Sequence, residues 1–171
     1  MIVIIDGDYK EDNSGFIAGV LMEDFNSKEI CGFITAEVFD VGEYQSGSFY
    51  KRELKGVDAV LTKLNLSQIQ CIIVDGYAKF EDGEHTSLGE WVYKNYAIPV
   101  IGIAKSKNLF SKVENTQVYR GNSKTPLYVT AVGIDQDIAK GKVQSMYGEN
   151  RSPYGVKIAD SIARKHKIIL N

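Results

Sequence analysis

Short, almost wholly apolar runs recur along the chain, and each ends abruptly in an ionisable residue. Three such runs occupy residues 71–74, 1–5 and 99–104, and they are followed directly by Asp75, Asp6 and Lys105. A run this short and this apolar is typical of a strand that is buried on both faces. A charge at its end is costly unless an opposite charge meets it or the strand simply reaches water there. The pattern therefore predicts three buried strands with ionisable residues at their ends.

Between these runs the pattern alternates between strand and helix. Further strands are predicted at residues 16–22, 30–39, 116–120 and 127–132, and helices at 49–64, 88–95, 136–147 and 153–166. Asp135 and Ser152-Pro153 are typical helix starts, and Gly148 is a typical stop. The order predicts one α/β domain over residues 1–171, with a central mixed sheet flanked by helices. The sheet combines a three-stranded antiparallel meander with parallel strands, and this arrangement resembles the ribonuclease H-like fold.

Four acidic residues are candidates for one shared site. Asp6 and Asp75 come at the ends of strands that right-handed crossovers place side by side, where open α/β sheets bind ligands. Glu53 lies on the apolar face of the helix between them, and Asp160 flanks the apolar face of the last helix. Glu53 is also compatible with an edge position that reaches water.

Carboxylates that converge in this way need positive charge. Two of them about 4 Å apart repel by roughly 4 kcal/mol at an effective dielectric near 20. Oxygen-only ligands favour Mg²⁺ or Mn²⁺ over zinc. Such ions assist phosphodiester hydrolysis, and Lys105 is placed to offset phosphate charge or to move a proton. The residues predict a metal-dependent nuclease.

The composition indicates an ordinary globular protein. Apolar residues make up 44% of the chain and charged residues 25%, as in ordinary globular proteins, and the longest apolar runs are too short for a signal peptide or a membrane span. A cytoplasmic protein is expected. The net charge of -2 is unevenly distributed along the chain. Residues 1–50 contain two Lys/Arg and ten Asp/Glu, whereas residues 101–171 contain twelve Lys/Arg and five Asp/Glu. The basic part suits a polyanion, although solvated surface charge explains it equally well. Cys31 and Cys71 are expected to be reduced core thiols rather than zinc ligands.

Several blocks in order along nearly the whole chain resemble the endonuclease V family. The blocks are Ile5-Asp6, Lys51-Arg52-Glu53, Ile73-Val74-Asp75-Gly76, Pro99 through Ser106, Pro126-Leu127-Tyr128-Val129 followed by Gly133, and Ser152-Pro153-Tyr154 through Ala159-Asp160. The resemblance implies metal ligation by Asp6, Glu53, Asp75 and Asp160, with Lys105 as the supporting base or charge. It also implies strand cleavage near a deaminated purine, typically hypoxanthine, in DNA repair, with the base turned out into a pocket. Gly47, Phe49 and Gly76 are then expected along that pocket and Tyr44 at the strand-separating wedge.

The chain also departs from the family pattern. The segment Tyr44-Gln45-Ser46-Gly47 lacks the usual wedge proline, and an acidic stretch follows Gly76 where the family has a basic loop. The substrate therefore stays open between DNA and RNA, single-stranded or lesion-containing. The alternative function is a catalytically silent domain that binds nucleic acid or protein. A third is another phosphoesterase with His85 or His166 as base, but both histidines are expected at the surface.

Overall fold

The protein folds around one mixed β-sheet with helices on both faces. The structure, a computed structural model, describes residues 1–41, 49–82 and 86–165. Within these ranges the strands are β1 (Ile2–Tyr9), β2 (Gly15–Met22), β3 (Gly32–Val38), β4 (Cys71–Asp75), β5 (Val100–Ala104), β6 (Gln117–Val118) and β7 (Leu127–Val132). The helices are α1 (Phe49–Leu61), α2 (Leu88–Tyr96), α3 (Gln136–Ser145) and α4 (Tyr154–Lys165), with a short 3₁₀ helix at Leu66–Gln68. No helix in these ranges is both long and apolar enough to cross a membrane.

The sheet has the predicted mixed topology. Its strand order is β3-β2-β1-β4-β5-β7-β6, in which β1, β2 and β3 form the antiparallel meander. Strands β4 and β5 run parallel to β1, and β7 runs antiparallel to β5. The carboxyl ends of β1, β4 and β5 therefore meet at one edge of the sheet, as the ribonuclease H-like arrangement requires.

Both faces of the central strands are covered, which explains their unbroken apolar sequences. Side chains alternate between faces along a strand. One set, including Ile4, Ile73 and Ile103, packs in the core beneath α3 and α4. The other set, including Val3 and Ile72, packs beneath α1 and α2. Each fully buried side chain of this size contributes about 1.5–3 kcal/mol to stability.

One predicted strand end was wrong. The first strand continues through Asp6 to Tyr9 because β2 pairs with it as far as Tyr9↔Gly15. Pairing of β1 with β4 stops earlier, at Ile5↔Val74. Asp6 is thus the first residue at which β1 has lost its β4 neighbour, and its side chain still lies at the edge of the parallel part of the sheet.

Other boundaries differ by a few residues. Helix α1 ends at Leu61, α3 ends at Ser145 before Gly148, and β6 is only two residues long. The predicted cap at Asp135 is confirmed, because its carboxylate accepts the backbone N–H groups of Asp137 and Ile138 at 2.9 and 3.0 Å. Helix α4 begins at Tyr154, one residue after the predicted proline start.

The two cysteines are free, but they are not both in the core. Cys71 is buried in β4, whereas Cys31 is exposed. Cys31 directly precedes β3, and its backbone N–H donates to the carbonyl of Leu21. The prediction of a buried thiol at Cys31 was wrong because the apolar pattern begins at Ile30, two residues before the paired strand.

Candidate active site

Strand alternation directs two of the predicted site residues to the same side of the sheet, and a third follows the next strand at the same edge. Ile4, Ile73 and Ile103 point toward the core beneath α3 and α4. Asp6 and Asp75 each lie two residues further along their strands, and Lys105 lies two residues beyond Ile103, directly after β5. Because the side-chain period of a strand is two, Asp6 and Asp75 project on the α4 side of the sheet, and Lys105 lies at the same edge.

A third carboxylate, that of Glu53, approaches from the opposite side on α1. It lines a small cavity of about 100 Å³ together with Asp6 and Asp75. Glu53 and Asp75 also line a larger, neighbouring cavity of about 490 Å³, which extends over Gly76 and Lys105. The two cavities therefore meet at Glu53 and Asp75, and together they form one cleft.

Asp160 lies on the far side of this acidic group. It is not among the residues that line the two cavities, but its charge helps to raise the pKa of both Asp6 and Asp75. Its Oδ1 accepts a hydrogen bond from Nε of Arg164, one turn further along α4, at 2.7 Å. The structure therefore brings Asp6, Glu53 and Asp75 together at one cleft, whereas Asp160 lies outside the cavity lining and is held by an arginine.

The carboxylates of this region are poorly compensated. Burial, followed by the charge of Asp75 and to a smaller extent that of Asp160, raises the pKa of Asp6 to about 7. Burial, followed by the charges of Asp75 and Asp6, raises the pKa of Glu53 to about 7. Oδ1 of Asp6 accepts the N–H of Gly7 at 2.7 Å, but its Oδ2 is buried without a hydrogen-bond partner.

The pKa of Asp75 is also raised, although this residue is more exposed than Asp6. Its side chain is exposed to solvent, yet the cleft walls surround it closely enough that partial desolvation raises its pKa. The charge of Lys105 opposes this rise, as does that of Arg164, while Asp160 adds to it. The site thus combines acids that repel one another with two cations at its rim.

These residues suit a hard cation chemically, although they do not form a closed cage. Among residues 1–41, 49–82 and 86–165, no three His, Cys, Asp or Glu side chains lie close enough to enclose one ion. The donor set is nevertheless oxygen-only, and it contains a buried carboxylate oxygen that lacks a partner. Uncompensated carboxylates of this kind fit Mg²⁺ or Mn²⁺.

Two glycines shape the loop that follows Asp75. Gly76 has φ of +100°, a conformation that L side chains rarely adopt, and a Cβ there would meet nothing within 4 Å. A Cβ on Gly102 in β5 would lie 2.2 Å from the backbone N of Ala78 and 2.5 Å from the carbonyl oxygen of Gly76. Gly102 therefore allows the loop after β4 to lie against β5, which leaves open space above Gly76.

An arginine that the sequence analysis missed holds the backbone at Lys105. Arg151 donates from Nη2 to the carbonyls of Lys105 and Pro126, the latter at 2.5 Å. Buried Arg120 in turn donates to the carbonyls of Asn150 and Arg151 at 3.0 and 3.2 Å. The segment before α4 is thereby tied to the end of β5. Backbone carbonyl acceptors leave no sequence signal, so this pairing was not predictable.

Several predicted residues lie outside the described part of the chain. Tyr44, Gly47, His85 and His166 are among them. Phe49 begins α1, but its side chain is not described. The roles expected for these residues in base recognition stay predictions.

Solved structures with the same architecture were found by comparison. Endonuclease V from Streptomyces avermitilis matches with a TM-score of 0.77 and 23% identity over 96% of this chain and 80% of that chain. Human ENDOV matches with a TM-score of 0.80 and 18% identity over 96% and 83%. The chain has the endonuclease V fold. A variant of Ciona intestinalis endonuclease V, solved with DNA that contains an inosine, matches with a TM-score of 0.79 and 16% identity over 96% and 84%. No family model and no curated protein matches the sequence.

Proposed function

We propose that this protein is a divergent member of the endonuclease V family and a metal-dependent endonuclease that hydrolyses phosphodiester bonds in nucleic acid. The observation that carries the proposal is the group of mutually repelling carboxylates at the carboxyl ends of β1 and β4. A stable fold has no structural need for several acids that raise one another's pKa in a cleft. The fold shared with endonuclease V structures points to the same chemistry.

In this proposal Asp6, Glu53, Asp75 and Asp160 hold Mg²⁺ or Mn²⁺. When bound, such an ion offsets the charge of the phosphodiester and makes water a better nucleophile. Lys105 stands at the cleft wall, where its ammonium contacts the phosphate and stabilises the charge that develops during cleavage. Because Asp160 is paired with Arg164, its release from that arginine accompanies cation binding.

The larger cavity supports the proposal that a base is accommodated next to the cleavage site. Its volume of about 490 Å³ falls in the usual range for small-ligand pockets. Gly76 leaves its wall open, and the rings of Tyr77 and Phe80 stack on each other along its side with centroids 6.0 Å apart. A deaminated purine such as hypoxanthine, in DNA or RNA, is the proposed occupant, in line with the inosine in the Ciona complex.

One observation favours the alternative, a catalytically silent domain that binds nucleic acid or protein. Arg164 already neutralises Asp160, and the pKa of Arg164 is raised by its hydrogen bond to Asp160 and then by the charges of Asp160, Asp6 and Asp8. An arginine in this position replaces part of the charge that a cation supplies. The silent alternative therefore predicts that the protein binds no Mn²⁺ in the millimolar range by titration calorimetry.

A cleavage assay tests the proposal directly. End-labelled single-stranded DNA and RNA oligonucleotides, with and without one inosine, are incubated with Mg²⁺ or Mn²⁺ and with the parent protein, Asp75→Asn or Glu37→Gln. Glu37 is an exposed acid on β3 and serves as the matched control. The parent and Glu37→Gln are expected to cleave, and Asp75→Asn is expected to be at least about 100-fold slower. Equal cleavage by the parent and Asp75→Asn would remove the carboxylate argument.

A further inference from the structure

A projecting loop beside the cleft carries an unusual combination of side chains. Residues 105–113 contain three lysines and no acid, and two large apolar side chains stand next to each other at the tip. Leu109 is 91% exposed and Phe110 is 59% exposed. Single exposed apolar residues are common on protein surfaces, but an adjacent pair among lysines beside a cleft is a feature of interaction surfaces.

The loop is held in place by hydrogen bonds at both ends. The hydroxyl of Tyr77 accepts the N–H of Asn108 at 3.0 Å and donates to the carbonyl of Ser106 at 3.4 Å. On the return side, the N–H of Lys112 donates to the carbonyl of Phe80 at 2.8 Å. The stacked aromatic pair of the cleft wall thus anchors both sides of the loop.

The tip has its own local constraint. Oδ1 of Asn108 accepts a hydrogen bond from the N–H of Phe110 at 2.8 Å. This bond closes a turn that directs the chain outward at Leu109. Residues 105–108 line the larger cavity, so the tip directly continues the cleft wall. The loop is therefore a fixed projection at the mouth of the cleft.

We propose that this loop, residues 105–113, is a platform for single-stranded nucleic acid, on which bases next to the cleaved bond pack against Leu109 and Phe110 while Lys107 and Lys112 contact phosphates. This inference rests on the proposed function and adds the surface that holds the strand. The acids of the cleft repel a phosphate backbone, so the strand needs positive charge nearby, and this loop supplies it. Aromatic side chains on a positively charged surface form the usual contact for unpaired strands, and Leu109 extends the apolar part of that surface beside Phe110.

Binding is measured by fluorescence anisotropy in EDTA, so that no cleavage is required. The probe is a fluorescein-labelled 16-nucleotide single strand that contains one hypoxanthine, and the variant combines Leu109→Ser with Phe110→Ser. The dissociation constant is expected to rise about tenfold, because stacking on such side chains contributes that much per base. Ile138→Ser is the matched control, since Ile138 is 54% exposed on α3 and belongs neither to the loop nor to the lining of the two cavities.

The lysines are tested through the salt dependence of the same measurement. Lys107→Gln and Lys112→Gln are each expected to reduce the slope of log K against log salt by about 0.7, the value for one phosphate contact on a single strand. Lys94→Gln, an exposed lysine in the last turn of α2, should leave the slope unchanged. Phe110→Trp provides a second readout, because its emission should be quenched by the oligonucleotide.

The outcomes separate this inference from the proposed activity. If the parent protein binds the strand but does not cleave it in Mg²⁺, the proposed activity is contradicted. The platform is still supported in that case if the serine variant binds the strand about tenfold more weakly than the parent. Unchanged binding by the serine variant overturns the platform, even when the parent cleaves. A change in self-association instead of strand binding overturns it in favour of a protein contact, and a parent that binds no strand at low salt overturns both proposals.

Discussion

The half-buried acid Asp6 makes the cation-free protein less stable as pH rises, and Asp6→Asn should remove this effect. The pKa of Asp6 is about 7 in the folded protein, against an ordinary value of 3.8. The folded state therefore binds this proton more tightly than the unfolded state does. The stability that comes from protonated Asp6 is fully present below pH 4 and is lost as pH rises through about 7.

The size of the effect follows from the two pKa values. One pKa unit corresponds to about 1.36 kcal/mol, so ionising Asp6 in the folded protein costs about 4 kcal/mol at pH 8 and somewhat under 2 kcal/mol at pH 5. Between these pH values the free energy of unfolding of the parent should fall by about 2 to 3 kcal/mol relative to that of Asp6→Asn. For a chain of this length the difference is about 5 to 10 °C in Tm.

Urea denaturation in EDTA at pH 5, 6, 7 and 8 measures this difference. The free energy of unfolding of Asp6→Asn relative to that of the parent should increase steadily from pH 5 to pH 8. The free energy of unfolding of Glu37→Gln should equal that of the parent at every pH. Saturating Mn²⁺ should restore the parent at pH 8, because a cation compensates the ionised acids. A gap between the parent and Asp6→Asn that is the same at all four pH values would refute the reasoning.

Three further predictions concern the surroundings of the carboxylates. Arg164→Gln should tighten Mn²⁺ binding about three- to tenfold in titration calorimetry, because it frees Asp160; weaker binding would mean that Arg164 helps to build the site. Arg151→Gln should lower kcat about tenfold with little change in KM, and it should have no further effect in a Lys105→Ala background, because it acts through Lys105. Additive losses in that double-mutant cycle would contradict this positioning role. Gly102→Ala should lower the free energy of unfolding by about 2 to 3 kcal/mol in denaturation experiments, because its Cβ would overlap backbone atoms of residues 76 and 78; an unchanged midpoint would argue against the close approach.

The parts of the fold that were predictable are those with a strong local pattern. Strand β4 lies where the apolar run indicates, because a strand that is buried on two faces has an unbroken apolar sequence. Helix α2 lies where the helical periodicity indicates, because a helix that is buried on one face has apolar residues at regular spacing. The mixed sheet followed from the order of these elements and the handedness of crossovers. The position of Asp75 at the carboxyl end of β4 was predictable since it ends such a run.

Other features depend on contacts between distant parts of the chain. The extension of β1 beyond Asp6 is due to pairing with β2, which local polarity at residues 6–8 conceals. Arg151 reaches the carbonyl of Lys105, 46 residues away in sequence, and a backbone acceptor has no residue type to reveal it. The pairing of Asp160 with Arg164 has the i,i+4 spacing of helical ion pairs and was visible in the sequence, but it reads there as ordinary surface charge.

The central claim is that Asp6, Glu53, Asp75 and Asp160 share a divalent cation. Anomalous diffraction from a crystal soaked in Mn²⁺ at pH 8 tests it before any substrate is chosen. We predict a manganese peak in contact with Asp6 and Asp75, which disappears in a crystal of Asp75→Asn. A fully soaked crystal without a peak at these carboxylates, or with the same peak in Asp75→Asn, would contradict the account.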